Sequence, residues 1–346
     1  MSTPPRVVPT IDLESPAVTA LGRACETVGF FQIVGHGIDH EVIERAWTEA
    51  RRFFDLPLEQ RMSAARRHPD DAYGYLPVEL EALERSLGAR TGAPDLKQTF
   101  NVGPVIAAGP NGITAVNGIT SPDGITSPDG IASPDGIDDR IAAWAFGPTP
   151  WPSALASLEP AMRAYFDAMD ALARRLLSLM AMALDEPPSF FEPFVDHAPG
   201  ALRALDYPDL AGRTPAPAQL RAGAHTDYGT LTILRQDGAP GGLEVLDPRT
   251  DTWTPVPATD DAFVVNLGDL MQRWTNDRWR STLHRVVVPA PDAGPSRRQS
   301  MAFFHNANID ARIEVIPSCV APGEQPRHAP VIAGPHLMSK FRRATS

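Results

Sequence analysis

Three short stretches carry residues whose types and spacing suit metal and carboxylate chemistry. Gly223-Ala224-His225-Thr226-Asp227 sets an imidazole and a carboxylate two positions apart. In an extended backbone residues i and i+2 share a face, so both can converge on one ion. A third ligand is needed, and His284 is the best candidate, at the head of the β-type run His284-Arg285-Val286-Val287. Two imidazoles and one carboxylate, with the opposite face left open, form the ligand set of non-haem Fe(II) chemistry. The second stretch is Arg298-Gln299-Ser300. Its guanidinium and hydroxyl fall on one face and suit a carboxylate, while Arg297 points the other way. The third is Leu202-Arg203-Ala204-Leu205-Asp206-Tyr207. Arg203, Leu205 and Tyr207 alternate onto one side, where Arg203 can approach a pocket and pair an acidic substrate group. Phe304 is a candidate pocket wall. The remaining histidines lack a comparable partner.

These stretches need elements to hold them. From residue 200 short apolar runs follow one another: Ala201–Tyr207, Thr230–Leu234, Leu243–Leu246, Phe263–Leu267, Leu283–Val288 and Ser300–Phe304. Asp237-Gly238, Pro240-Gly241-Gly242 and Pro291-Asp292-Ala293-Gly294 separate them. Such spacing predicts a sandwich or barrel of short strands. The first half predicts helices over Ala17–Thr27, Glu41–Phe54, Leu58–Arg66 and Ser153–Leu184, and strands over Val8–Leu13, Phe30–Val34 and Asp95–Val102. In the long fourth helix Leu158, Met162, Phe166, Met169, Leu172 and Leu176 recur at steps of three and four, a core-facing stripe. Between these halves glycines recur every six residues at Gly112, Gly118, Gly124, Gly130 and Gly136, the last three within Ser-Pro-Asp-Gly units. Five hexapeptides bury little core, and a flexible surface insertion is expected.

Composition narrows the function classes. The chain has 346 residues, 43% hydrophobic and 21% charged, an ordinary globular balance with ample material for a core. A net charge of −11 argues against broad binding to nucleic-acid phosphates, yet leaves room for a local cationic pocket. No apolar run reaches the roughly 20 residues of a membrane span. The opening Met-Ser-Thr-Pro-Pro-Arg lacks the apolar core of a secretory signal. Cys25 and Cys319 are too few for a disulfide framework, so a reducing cytoplasm is expected.

With these motifs together, the chain resembles the 2-oxoglutarate- and Fe(II)-dependent oxygenases of the isopenicillin N synthase-like family. His225, Asp227 and His284 match that family's His-x-Asp…His pattern, and Arg298 and Ser300 its Arg-x-Ser pair. Pro9-Thr10-Ile11-Asp12-Leu13, Gly29–Gly37, Gly241–Val245 and Asn266-Leu267-Gly268-Asp269 are similar to its surrounding text. The resemblance implies a mixed α and β fold: a double-stranded β-helix (jelly-roll) core with N-terminal and flanking helices. It implies Fe(II) on His225, Asp227 and His284. It places the distal carboxylate of 2-oxoglutarate on Arg298 and Ser300, with Tyr207 as a third contact. One position departs: the asparagine that plant members carry two residues before that tyrosine is Leu205 here. The implied reaction is hydroxylation, desaturation or cyclisation of a small molecule by O2, releasing succinate and CO2. Asp227 argues against a halogenase, in which a small residue replaces the carboxylate. Arg285, Asn266, Gly268 and Asp269 read as structural support.

The chain divides into an N-terminal region of the oxygenase fold (1–106), the hexapeptide-repeat insertion (107–138), helical support (139–198), and the jelly-roll core with a C-terminal cap (199–346). Neither a nucleic-acid nor a membrane partner is expected, and monomer is the expected state. Other readings keep the same residues: an oxidase of this fold that does not consume 2-oxoglutarate, an ethylene-forming variant, a zinc hydrolase, or a non-catalytic scaffold.

Overall fold

A computed structural model describes residues 7–87, 93–104, 139–210 and 214–345. The repeat insertion lies outside the described residues. The N-terminal part supplies four strands, β1 (Thr10–Asp12), β2 (Phe30–Val34), β3 (Gly74–Leu76) and β4 (Gln98–Val102). It also carries helices α1 (Val18–Thr27), α2 (His40–Asp55) and α3 (Leu58–Met62). Then come α4 (Asp139–Ala145), the long α5 (Leu158–Ala183) and α6 (Glu192–Val195). The strands of the second half are β5 (Ala201–Tyr207), β6 (Ala222–His225), β7 (Leu231–Gln236), β8 (Leu243–Asp247), β9 (Thr252–Pro255), β10 (Phe263–Leu267), β11 (His284–Val286) and β12 (Arg298–His305). Short α7 (Asp269–Trp274) follows β10, and α8 (Ala333–Thr345) closes the chain.

Eight strands form one sheet in the order β1-β2-β10-β7-β12-β5-β4-β3, and four form another in the order β6-β11-β8-β9. Together they make the expected jelly-roll, flanked by helices. The large sheet has two different faces because successive side chains alternate. One face, with Phe31, Ile33, Val265, Ile233, Met301 and Phe303, packs into a single apolar cluster with the buried stripe of α5. The other carries Arg298, Ser300, Ala302, Leu205 and Tyr207 and looks into the space before the small sheet. The chain enters that face through tight punctuation. Gly29 ends α1 with φ +64°, and its N–H reaches back to the Ala24 carbonyl at 2.9 Å. A Cβ there would lie 1.9 Å from the Arg280 carbonyl oxygen, so only glycine fits.

Most predicted elements are present, with two kinds of difference. The helix expected over Leu58–Arg66 ends at Met62. Beyond it the backbone turns to pair with the edge of the sheet, where the Tyr75 N–H donates to the Ala64 carbonyl at 2.8 Å. Strands β3 and β9 and helices α4, α6 and α7 are too short to leave a periodic signature of their own.

Candidate active site

His225 ends β6 and His284 opens β11, and the two are direct cross-strand partners in the small sheet. Their rings lie 4.3 Å apart between centroids. Asp227 follows two residues after His225. Its Oδ1 is 3.9 Å from His225 Nε2 and 3.8 Å from His284 Nε2. One ligand atom from each of the three falls within 4.8 Å of the others, a geometry that can hold one metal ion.

Partners behind these groups fix which atoms face the ion. His225 Nδ1 donates to the Gly223 carbonyl at 2.8 Å and His284 Nδ1 to the Thr282 carbonyl at 3.1 Å. A carbonyl only accepts, so the proton sits on Nδ1 and the Nε2 lone pair faces inward. Asp227 Oδ2 accepts from Thr232 Oγ1 at 2.6 Å and from Asn266 Nδ2 at 2.7 Å, which leaves Oδ1 for the ion. Burial, and then the neighbouring His284, push His225 down to about 3. It is therefore neutral at pH 7, as a metal ligand must be. For Asp227 burial favours the acid, but the two histidines and the two hydrogen bonds outweigh it and hold the carboxyl below its usual range. The loop carrying Asp227 is clamped from behind. Asp269 N–H donates to the Asp227 carbonyl at 2.8 Å, and Gly268 packs so closely that a Cβ would lie 2.2 Å from the Gly229 oxygen.

Arg298 lies in the same cavity on the large sheet, opposite Tyr207 in register. It is 1% exposed. Its Nη2 donates to Gln236 Oε1 at 2.5 Å, while Nε and Nη1 are buried with no hydrogen-bond partner. The nearest carboxylate, Asp237, stands 4.0 Å from Nε, beyond hydrogen-bond reach. The guanidinium stands 5.0 Å from the Tyr207 ring centroid, and Tyr207 Oη is 3.4 Å from Ser300 Oγ. Two buried N–H groups without an acceptor are costly unless a ligand supplies one. A carboxylate meets that need, with Ser300 and Tyr207 alongside. The donor set thus fits both groups: a borderline divalent metal on two imidazoles and a carboxylate, and an acid on the guanidinium. Leu205, in place of an amide side chain, gives the cavity an apolar wall.

A second cavity adjoins the triad. His225 and Asp227 line it, as do Arg203, Phe304, Tyr73 and Trp144. Arg203 Cζ stands 5.5 Å from the Phe304 ring centroid. So the structure brings together every residue singled out in the sequence: His225, Asp227 and His284 on the small-sheet side, Arg298, Ser300 and Tyr207 opposite, Arg203 and Phe304 at the adjoining cavity. Arg285 turns away as expected and pairs with Glu244 at 2.8 Å. Asn266 differs from its expected supporting role in the core, because it bonds a site carboxylate directly. The sequence did carry a signal for it, a lone amide inside the apolar Phe263-Val264-Val265-Asn266-Leu267. Thr232, Gln236 and the cavity walls from α4 and α8 carried none, since only tertiary contact gives them their partners.

The fold and this site define a non-haem metal oxygenase. Comparison with known proteins agrees over nearly the whole length. Residues 8–117 match the family described as non-haem dioxygenase in morphine synthesis N-terminal, and residues 201–307 match the 2OG-Fe(II) oxygenase superfamily. The chain is 33% identical to the 2-oxoglutarate-Fe(II) type oxidoreductase hxnY of Emericella nidulans, over 94% of this chain and 84% of that protein. It is 31% identical to the validamycin A dioxygenase of Streptomyces hygroscopicus subsp. limoneus, over 91% and 81%. A full-length Neurospora crassa protein, solved as a crystal structure in complex with alpha-KG, superposes with a TM-score of 0.74 at 26% identity, over 97% and 96% of the two chains. A putative 2OG-Fe(II) oxygenase family protein from Caulobacter crescentus gives the same TM-score, 0.74, at 26% identity, over 97% and 98%. The chain belongs to the 2OG-Fe(II) oxygenase superfamily. It is a 2-oxoglutarate-dependent dioxygenase acting on a small molecule, with Fe(II) as its metal. No described helix is long and apolar enough to cross a membrane.

Proposed function

We propose that His225 Nε2, Asp227 Oδ1 and His284 Nε2 hold Fe(II), and that Arg298, Ser300 and Tyr207 hold the distal carboxylate of 2-oxoglutarate. The substrate then occupies the adjoining cavity against Arg203 and Phe304. The observation that carries this reading is Arg298, whose two acceptor-less buried N–H groups share one cavity with the three metal-ligand candidates. When bound, Fe(II) with 2-oxoglutarate and O2 supplies the oxidising power, and the keto acid leaves as succinate and CO2. The chain's own groups position and shield. Gly223 and Thr282 fix the two histidine tautomers through their carbonyls. Thr232 and Asn266 turn the Asp227 carboxylate. Arg298 orients the keto acid so that its other end reaches the metal, and the apolar walls Leu205, Leu234 and Ala302 exclude water around it. An intact Asp227 leaves no position for a halide, so the outcome is hydroxylation, desaturation or cyclisation. The enzyme acts as a monomer in a reducing cytoplasm, and its two free cysteines support the second part of that reading.

The test is anaerobic. Fe(II) and then 2-oxoglutarate are added to metal-free protein, and the weak visible charge-transfer band of a chelated keto acid is followed. The band is expected in the wild type and absent in His284→Ala. Iron binding with no band would favour the oxidase of this fold that does not consume 2-oxoglutarate. No iron binding at all would favour the scaffold reading.

A further inference from the structure

Asp227 and His284 sit on different segments, yet one residue stands behind both. Asp269 opens α7 and donates its N–H to the Asp227 carbonyl at 2.8 Å. Its Oδ1 accepts from Ser281 Oγ at 2.8 Å. The Ser281 N–H donates to Gln272 Oε1 of the same helix at 2.7 Å, so this strap is pinned to α7 twice. The next residue, Thr282, is the one whose carbonyl accepts from His284 Nδ1. The other carboxylate oxygen of Asp269, Oδ2, accepts from Lys340 Nζ at 2.6 Å. The position of Asp269 therefore sets both the Asp227 loop and the strap that leads to His284.

The third ligand is supported differently. Asp95 Oδ1 accepts from the Gly223 N–H at 2.8 Å behind His225, and Lys97 Nζ holds the other oxygen at 2.6 Å. Those two side chains are 2% and 1% exposed, a pair fixed inside the body of the protein. The Asp269–Lys340 pair is 18% and 27% exposed, and its cation comes from the C-terminal helix.

That helix, α8, also walls the cavity beside the triad through Leu337 and Phe341. It starts from a fixed point. The Ala333 and Gly334 N–H groups donate to the Ala311 and Ile309 carbonyls at 3.0 and 2.9 Å, and a Cβ on Gly334 would lie 2.7 Å from the Ile309 oxygen. Further along, Phe341 rests on Trp144 at 5.2 Å between ring centroids, and Lys340 ties the helix to α7. A partly exposed ion pair adds little to global stability, but a shift of Asp269 reaches two metal ligands at once.

We propose that Asp269 and Lys340 are positioning residues for the metal centre. Lys340 holds the Asp269 carboxylate, Asp269 holds the segments that carry Asp227 and His284, and the seating of α8 is thereby linked to iron. The linkage is reciprocal: iron favours the seated helix, and a substrate packed on Leu337 and Phe341 favours retention of iron. This rests on the assignment of Fe(II) to His225, Asp227 and His284 under Proposed function.

The experiment uses full-length protein loaded anaerobically with Fe(II) and mixed with excess coloured Fe(II) chelator, so that colour formation reads iron release. Hydrogen exchange of the α8 amides is followed with and without Fe(II). Lys340→Met should release iron about fivefold faster than the wild type, and Lys340→Arg at about the wild-type rate. Asp269→Asn keeps the backbone N–H and an acceptor for Ser281, so it should match Lys340→Met, and the double variant should be no faster than either single one. Fe(II) should slow α8 exchange by about threefold in the wild type and not at all in Lys340→Met. Release at the wild-type rate in Lys340→Met overturns the proposal, as do additive effects in the double variant. So does faster release that Lys340→Arg fails to restore, or wild-type α8 exchange that ignores iron. A wild type that binds no iron breaks the metal assignment itself, and this proposal with it.

Discussion

Strand β12 lies between two regions that treat the same backbone in opposite ways. Toward the helices it presents Met301 and Phe303, both fully buried, with Phe303 edge-to-face on Phe166 of α5 at 5.1 Å. The polar side chains on this face are engaged in part: Gln299 Nε2 donates to the Trp47 carbonyl at 2.9 Å and His305 Nδ1 meets the Thr230 hydroxyl at 2.8 Å, while Gln299 Oε1 and His305 Nε2 are buried without a partner. Toward the cavity the strand presents Arg298, Ser300, Ala302 and Phe304, and there it leaves two N–H groups of Arg298 unmet. One face gains free energy from dense packing, and the other holds donors in reserve for a ligand. The contrast teaches that stability and binding are separable here by sequence parity: the odd residues hold the sheet to its helices and the even ones hold ligands.

The sharpest way to break this contrast is to hollow the helix side. Phe303→Ala should destabilise the fold by about 3–5 kcal/mol, yet below its lowered melting temperature it should bind 2-oxoglutarate nearly as the wild type does. Thermal unfolding and anaerobic titration on the same sample check both halves, and a binding loss as large as the stability loss would sink the separation. On the other face Arg298→Ala should do the reverse. Removing two charge-assisted hydrogen bonds costs about 3 kcal/mol, a fall of roughly 100-fold in 2-oxoglutarate affinity, with unfolding unchanged or slightly raised because an unsatisfied buried cation is gone. Asn266→Ala should be milder, lowering iron affinity by about 10–100-fold through a less firmly turned Asp227, as metal titration would register. The smallest effect is expected at Arg285→Ala. Its partly exposed pair with Glu244 is worth at most ~1 kcal/mol, and iron affinity should not change although His284 is its immediate neighbour. A measurable iron defect there would show that the outer face of β11 is not independent of the inner one.

Much of this was legible along the chain because the relevant spacing is local. The His-x-Asp and Arg-x-Ser pairs declare a shared face through the two-residue period of a strand, and the α5 stripe declares its buried side through steps of three and four. Asn266 was visible as an odd residue in an apolar strand, but its partner was not. Nothing in Thr232 or Gln236 distinguishes either from any other polar strand residue. The expected extension of α3 failed because a distant strand, β3, offered the backbone hydrogen bonds that helix propensity alone would have kept within the helix.

By itself, then, the sequence determined the elements, the ligand types and the face on which each lies, since backbone period and side-chain chemistry are properties of neighbours in the chain. Only the tertiary structure decided which atoms of those groups remain free. It placed the Gly223 and Thr282 carbonyls behind the histidines, Thr232 and Asn266 behind Asp227, and no acceptor before two N–H groups of Arg298. Whether a buried donor is satisfied depends on groups far away in sequence and a few ångströms away in space. That accounting is what separates a packed core from a site that awaits its ligands.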